Sequence, residues 1–575
     1  MQSKTPQFDA LLDPILEGLV PHKRDCADCA KQFELFAGDV ELLKMLRVPP
    51  PTLCPDCRNR RRLSFANYAN IYKRKCDVPG HSEMMISLVA PVMPWVTYDH
   101  ETYYSDSWDP LSFGINIKVE EPFFGQFLNL LKIVPQPGVR RGAESPNSDF
   151  SFYGKYMKDC YYVFGGRRSE DILYSSSIYD SQHIVDCYLL RSVDTAYETI
   201  GSNDCYHTFY TYFSHNCINC EFIHNCRNCQ DCFGCVNLRN KQFCWENVQL
   251  SKEEYKKRRA EVDLSDRNVQ REHAQKFWAL VKESPIEAVR VFQSENSSGN
   301  DLKHCKNCFG SFQLDESENV RYASFVNINV KDSMDMSLGG KTELLYETQN
   351  VGSNSSNVKF SYAVKESSNL EFSISCSNCH DCFGCIGLKN KSFCIFNKQY
   401  EPEEYFKLID AWKTAMLAKG EYGEFFPMSF APYPYNSSMA HIMFPLSEEE
   451  VKARGLFWHT DVGVDTSAIK TISASELPQK STDATSELYS VAIIGERSGK
   501  PFRLTEREVT FYQRFKLPLP TDTPYQRILD RYKIMNDFKI HDDVCFKCGK
   551  KISSAYKTSD GWKPYCGSCY QQDFL

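Results

Sequence analysis

The chain lacks every familiar catalytic signature: it has no Walker A loop, no G-x-S-x-G elbow, no H-E-x-x-H pair and no dinucleotide-binding fingerprint. Those absences remove the commonest routes to nucleotide, acyl-transfer and zinc-peptidase chemistry, and the expected protein is not an enzyme. Long apolar runs are missing too. The longest, "MMISLVAPVMPWV", is short and interrupted by two prolines, so no membrane-spanning helix and no membrane partner are expected. The opening "MQSKTPQFDALLDPILEGLVPHKRDC" mixes acids and prolines into its apolar positions, which argues against a signal peptide and for a cytoplasmic chain. Histidine is sparse, 13 in 575 residues, and His207, His215 and His224 fall at intervals that suit a structural repeat better than a ligand set.

What the chain has in excess is cysteine, 26 residues, and aromatics, 13%, against an ordinary 42% hydrophobic and 25% charged content. A length of 575 residues implies several domains. In a reducing cytosol, paired C-x2-C knuckles read as metal sites before they read as disulfides. Net charge is −7 but uneven: residues 22–76 carry +6 and residues 495–575 carry +5, leaving −18 on the remainder.

The two ends are copies of each other. At a constant offset of 469, residues 26–62 fall on 495–531, with "LRVPPPTLCPDCR" over "FKLPLPTDTPYQR". Cys26, Cys29, Cys54 and Cys57 become Gly495, Ser498, Thr523 and Gln526. Downstream the asymmetry reverses: once a two-residue slip sets Tyr98 and Tyr103 against Tyr565 and Tyr570, Cys545, Cys548, Cys566 and Cys569 face Cys76, Pro79, Asp99 and Thr102. Each end is therefore a pair of knuckle units with one unit emptied. Because Phe502, Leu504, Phe515, Pro518 and Pro520 persist, the emptied C-terminal unit is expected to keep its fold by apolar packing, with the other module as its neighbour.

The middle repeats at an offset of 150: "CRNCQDCFGCVNLRNKQFC" at 226–244 answers "CSNCHDCFGCIGLKNKSFC" at 376–394. Short runs such as "KDCYYVF", "VDCYLL" and "NDCYHTFY" place Asp or Asn before a Cys or aliphatic residue and an aromatic after it, a pattern of strands bounded by turn formers. Such recurrence predicts a β-solenoid whose equivalent side chains stack from coil to coil. Cys187 aligns with Met336, and Cys205 with about Ser355, as a small buried core position would allow.

The expected fold is thus mainly β with helices: two tandem β-solenoid (β-helix-like) repeats flanked by duplicated N- and C-terminal zinc-knuckle or ribbon modules. Boundaries follow as a zinc-ribbon module at 1–110, a connecting helix and loop at 111–148, solenoid A at 149–250 and a helical linker at 251–295. Solenoid B then spans 296–400, a helix and linker 401–488, and the C-terminal zinc-ribbon module 489–575.

Two C-x2-C knuckles 24 residues apart, and two more 17 apart, can each surround one Zn²⁺ with four thiolates, leaving no open position for water or substrate. Two structural zinc sites are expected, at Cys26, Cys29, Cys54 and Cys57 and at Cys545, Cys548, Cys566 and Cys569. The runs Cys226, Cys229, Cys232, Cys235 and Cys376, Cys379, Cys382, Cys385 have a spacing reminiscent of iron–sulfur ligation. They lack the three-residue gap and the proline of bacterial ferredoxins, so additional metal there competes with thiols packed inward. Arg58, Arg60, Arg61, Arg62, Lys73, Arg74 and Lys75, interleaved with Tyr68 and Tyr72, suit contact with nucleic acid, or else pairing with the acidic middle of the same chain.

The segments "FELFAGDVELLKMLRVPPPTLCPDCRNRRRL…NIYKRKCD", "CFGCVNLRNKQFC", "CFGCIGLKNKSFCIFNKQY" and "GEFFPMSFAPYPYN" resemble an uncharacterised family of long zinc-ribbon proteins of candidate-phyla-radiation bacteria. The likeness covers nearly the whole chain. It implies the architecture above and a bacterial cytosolic setting, but no activity; the CoA-transferase label some members carry finds no support in these residues. Similar proteins often keep cysteines in the first C-terminal unit, where this chain has Gly495, Ser498, Thr523 and Gln526.

The leading functional expectation is a zinc-stabilised scaffold that presents a repeat surface to a macromolecular partner. The alternatives are a nucleic-acid- or ribosome-associated factor and an iron–sulfur redox protein, with homo-oligomerisation left open.

Overall fold

The computed structural model describes residues 3–142, 144–461, 463, 466–535 and 538–574. It is mainly β, with two large sheets of eleven and nine strands, accompanied by helices. Among the described residues no helix is long and apolar enough to cross a membrane.

The large sheets have one construction rule. In the first, Gln182 pairs in parallel with Asp194, Asp194 with Tyr206, Tyr206 with Ile218, Ile218 with Gln230 and Gln230 with Gln242, always twelve residues on. Within each twelve, every third backbone position is left-handed. Asn216, Asn219, Phe222, Asn225, Asn228, Asp231, Gly234, Asn237, Asn240 and Phe243 all have φ between 50° and 66°. A non-glycine residue pays about 1–2 kcal/mol for that conformation, least when it is Asn or Asp. This explains why Asn and Asp recur along the run. The residue after most of these left-handed ones is buried, as Cys217, Cys220, Ile223, Cys226, Cys229, Cys232, Cys235 and Cys244 are, so the elementary period is three.

The second sheet follows the same rule with slips. Ser356 pairs with Ser368 and Ser368 with His380 at twelve, but Val291 pairs with Leu302 at eleven and Glu318 with Lys331 at thirteen. Such single-residue changes account for the imperfect offset between the two middle repeats.

Edges of three residues leave a narrow interior into which backbone carbonyls point, and that selects the core residues. Cys226 Sγ donates to the His224 carbonyl and Cys229 Sγ to that of Arg227, at 3.6 and 3.4 Å. Ser175 Oγ does the same toward Leu173 at 2.8 Å and also accepts from the Cys187 amide at 3.0 Å, twelve residues away. Thiol and hydroxyl groups here are small and are donors, so they fill space and satisfy buried acceptors together. Cys187 and Met336 both lie in these cores. Outside, equivalent side chains stack: Asn216, Asn228 and Asn240 form an amide ladder at 3.1 and 2.9 Å, and Phe233 lies on Trp245 at 4.3 Å.

The chain divides into two compact units that are not sequential. One comprises Met1–Val139 and Val289–His459, the other Arg140–Ala288 and Thr460–Leu575. Within the first unit the N-terminal module therefore packs on the second large sheet; within the other, the C-terminal module packs on the first. The neighbour of each module within its unit is a sheet. The helices Lys252–Glu261 and Arg267–Glu283 brace the first large sheet of their own unit, with Arg259 on Glu221 and Phe277 against Tyr212 and Phe222. The helix Pro402–Ala418 serves the other unit through Lys413, 2.9 Å from Glu371.

Candidate metal centres and the docked arginines

Each module contains two small ribbon units, and all four share one backbone plan. The amide of the first ligand position closes the hairpin turn, as Cys26 to the Lys31 carbonyl, Gly495 to Lys500 and Cys545 to Lys550, at 2.8–2.9 Å. The next amide crosses to the chain that precedes the second knuckle, as Ala27 to Thr52, Glu496 to Thr521 and Phe546 to Pro564. The second knuckle opens a helix, Pro55–Leu63 in the first unit and Gly567–Phe574 in the last.

This plan gathers the two predicted cysteine sets. The ligand atoms of Cys26, Cys29, Cys54 and Cys57 lie within 4.8 Å of one another, as do those of Cys545, Cys548, Cys566 and Cys569. Cys29 Sγ is 3.8 Å from Cys54 Sγ, and Cys548 Sγ is 3.9 Å from Cys566 Sγ. A tetrahedron with Zn–S bonds of about 2.3 Å has an edge of about 3.8 Å, so both sets fit zinc. The backbone prepares each: the Cys54 amide donates to Cys26 Sγ and the Cys566 amide to Cys545 Sγ, both at 3.2 Å. Hydrogen bonds, foremost from Cys57, pull the Cys54 thiol down to about 5; those led by Ser568 bring Cys566 to about 6. The hydrogen-bonded partners Cys57 and Cys569 are pushed up in turn, so one thiol of each pair is the readier thiolate. The first set is the more enclosed, with Cys26, Cys54 and Cys57 buried, whereas Cys548 is exposed.

In the emptied unit a carboxylate occupies the corresponding space. Asp522, only 2% exposed, accepts from the amides of Arg497 and Ser498, each at 3.1 Å, and from the Arg497 guanidinium at 3.0 Å. These amides belong to the turn that carries the first knuckle in the cysteine-bearing copies. Packing also contributes, since Phe502, Leu504, Pro518 and Pro520 are buried and Phe515 half-buried.

The basic cluster turns inward. Arg58 Nε sits 2.7 Å from Asp335, and Arg62 Nη1 sits 3.1 Å from Asp335 and 3.2 Å from Glu347, with all four side chains 0–1% exposed. Arg61 bridges Glu347 and Glu424 at 2.9 and 2.7 Å, while Arg60 holds Asp28 and lies 4.0 Å from Cys57 Sγ. Arg74 is buried on Asp77 at 2.9 Å; Lys73 and Lys75 are exposed. Of the residues singled out for nucleic acid, only those two lysines face solvent freely. Arg58, Arg61 and Arg62 pair with acids of the chain's middle, and Arg60 and Arg74 with acids of the module itself.

The same arrangement recurs in the other unit at the offset of 469. Arg527 and Arg531, equivalents of Arg58 and Arg62, reach Asp186 at 2.5 and 2.9 Å, and Arg531 approaches Glu198 at 4.0 Å. Glu508 pairs with Arg527 at 3.1 Å, whereas its equivalent Asp39 holds Arg321 of the sheet instead. The receiving side is a column of left-handed residues on successive rungs: Tyr174, Asp186, Glu198 in one sheet and Tyr322, Asp335, Glu347 in the other. Arg531 also donates to the Tyr174 carbonyl and Arg62 to that of Tyr322. Sequence reasoning missed these acids; the signal was there in the survival of both arginines through a duplication that discarded four cysteines.

The mid-chain cysteine runs behave differently from the terminal sets. Cys226, Cys229, Cys232, Cys235 and Cys376, Cys379, Cys382, Cys385 point into the sheet interiors and donate to backbone carbonyls, as Cys235 does to Phe233 and Cys385 to Phe383 at 3.3 and 3.4 Å. Among the described residues neither run forms a four-ligand group of the kind seen at the two ends. Elsewhere in the same core, burial pushes the Cys160 thiol up to about 11, away from the thiolate.

No protein-family model and no curated protein matches this chain.

Proposed function

We propose that this protein is a non-enzymatic, zinc-stabilised scaffold. In this reading the two large sheets are β-solenoids of twelve residues per coil, each clamped by a zinc-ribbon module, and their outer faces are offered to a macromolecular partner in the bacterial cytosol. The observation that carries the reading is the duplicated arginine–carboxylate clamp. It commits the modules' buried guanidinium groups to holding the solenoids, and the four-cysteine sets have no open coordination position. Function is then left to the repeat surface. Exposed Tyr206 pairs with exposed Ile218 on neighbouring rungs, an apolar step on an otherwise polar face.

The test is affinity capture by the intact protein, with identification of what is retained and comparison with Tyr206→Ala combined with Ile218→Ala. Retention of a defined partner, lost in the double variant while metal content and melting temperature hold, supports the reading. Turnover of a small molecule at a rate abolished by substituting solenoid residues would overturn it. Salt-sensitive RNA or DNA binding lost with Lys73→Ala and Lys75→Ala would favour a nucleic-acid factor instead.

A further inference from the structure

The second ribbon unit of the N-terminal module reads in sequence as an empty copy, with Pro79 and Thr102 where Cys548 and Cys569 provide ligands. The folded chain brings in a residue that alignment does not. Relative to the last unit, the hairpin turn is two residues longer: the Cys76 amide bonds the Glu83 carbonyl, whereas that of Cys545 bonds Lys550. The longer turn runs through Gly80, at φ 87°, and places His81 beside the knuckle. The ligand atoms of Cys76, His81 and Asp99 lie within 4.8 Å of one another.

We propose that Cys76, His81 and Asp99 form a third divalent-metal site, with three protein ligands and one open position. The frame is that of a functioning unit. The Asp99 amide donates to Cys76 Sγ at 3.3 Å, as the Cys566 amide does to Cys545 Sγ at 3.2 Å, so Asp99 stands where Cys566 stands. The Asp77 amide bonds the Thr97 carbonyl at 3.0 Å, matching Phe546 and Pro564 at 2.8 Å.

The ligand spacing fits as well. Cys76 Sγ is 3.3 Å from Asp99 Oδ2, and His81 Nδ1 is 3.5 Å from the same oxygen. Bonds of about 2.0–2.3 Å from zinc to oxygen, nitrogen and sulfur give tetrahedral edges of about 3.3–3.8 Å. Asp99 is oriented by its other oxygen, which accepts from the Thr102 amide at 2.9 Å and caps the helix His100–Tyr104. One carboxylate oxygen thus positions the group while the other faces Cys76 and His81.

The donor set is mixed sulfur, nitrogen and oxygen, which suits Zn²⁺, Co²⁺ or Ni²⁺ and disfavours the hard cations Mg²⁺ and Ca²⁺. With Cys76 buried and His81 45% exposed, the fourth position opens on the solvent side, where water or a small anionic ligand can bind. Binding of the metal displaces the Cys76 thiol proton to solvent. Such a site exchanges its metal more readily than the two thiolate sets.

The test is Co²⁺ titration of the stripped full-length protein, with metal analysis after repurification. The expected result is three equivalents, the third removed first by chelator. His81→Ala and Asp99→Asn should each reduce the count to two with the tetrathiolate absorption unchanged; asparagine retains the helix cap, and His81 is a surface residue, so folding is preserved. Added azide should perturb the ligand-field bands of the wild type and leave those of His81→Ala unaltered. Two equivalents in the wild type, or three in both variants, would show that these residues form an ion pair only and would overturn the proposal. Bands insensitive to azide would overturn the open position.

Discussion

The two compact units perform the same attachment with different chemistry around it. In the first, the docking helix Pro55–Leu63 begins at a metal-ligand knuckle, Cys54 and Cys57, and continues into Arg58 and Arg62. In the second, the equivalent helix Pro524–Ile534 begins at Thr523 and Gln526, which cannot replace the thiolates, yet presents Arg527 and Arg531 to the same column of acids. This unit thus forms its docking helix without the thiolates while retaining the arginine pair. Asp522 explains how: a carboxylate accepts the amide hydrogen bonds of the knuckle turn and closes the space without an ion.

The sharpest way to break that equivalence is to remove the clamp. Arg62→Ala and Arg531→Ala each remove one of two guanidinium partners from a buried carboxylate, and each should destabilise its own unit in denaturant unfolding by up to about 3–5 kcal/mol. A large effect in only one unit would mean that the two docks are not equivalent.

Next in size is the device by which the second unit replaces metal. Asp522→Ala leaves the Arg497 and Ser498 amides without their acceptor and should cost about 1–3 kcal/mol, with no change in metal content. If the variant lost metal, the unit would not be the metal-free copy described above.

Burial raises the carboxyl of Glu198 in one column and of Glu347 in the other, so each unit carries a pH-sensitive acid. A quarter of the Glu198 side chain reaches solvent, whereas Glu347 is fully buried and met by Arg61 and Arg62. Burial pushes Glu198 up to about 7; Arg531 opposes the shift and Asp186 reinforces it. The folded carboxyl holds its proton to higher pH than the unfolded one, whose ordinary value is 4.5. Between these values the folded state binds more protons, so the stability of this unit falls as pH rises through the window. Glu198→Gln should flatten that slope and be the more stable protein at pH 8, as melting temperatures at pH 5 and pH 8 would show. An unchanged slope would remove Glu198 as its source.

The smallest effect belongs to the outer ladders. Asn228→Ala breaks two amide contacts and puts alanine at φ 53°, for a loss of about 1–2 kcal/mol, while Asn228→Gly recovers the backbone part. If both substitutions cost the same, the left-handed backbone would not be what selects asparagine.

Much of this was legible in the sequence because it is written in residue identity. Four cysteines in two knuckles, present in one copy and absent in the other, announce which unit could hold metal. Asn and Asp before most core cysteines announce a repeat, although the elementary period of three was hidden: residues as different as Asn219, Phe222 and Asp231 share the left-handed position, and Cys, Ser, Thr and Ile share the interior. What could not be read was partnership across long separations. Arg58 meets Asp335 and Arg527 meets Asp186 only because each module packs on the sheet that is not its neighbour in sequence. His81 was missed because it enters through a turn of different length, which no gap-free alignment represents.

The central claim is that the arginine clamp, rather than metal, holds the docking helix in the second unit, whereas the first unit uses both. Amide hydrogen exchange of the full-length protein, with and without a strong chelator, tests it directly. Residues 55–63 should lose protection when metal is removed, and residues 524–534 should keep theirs. Equal loss in both helices would contradict the account.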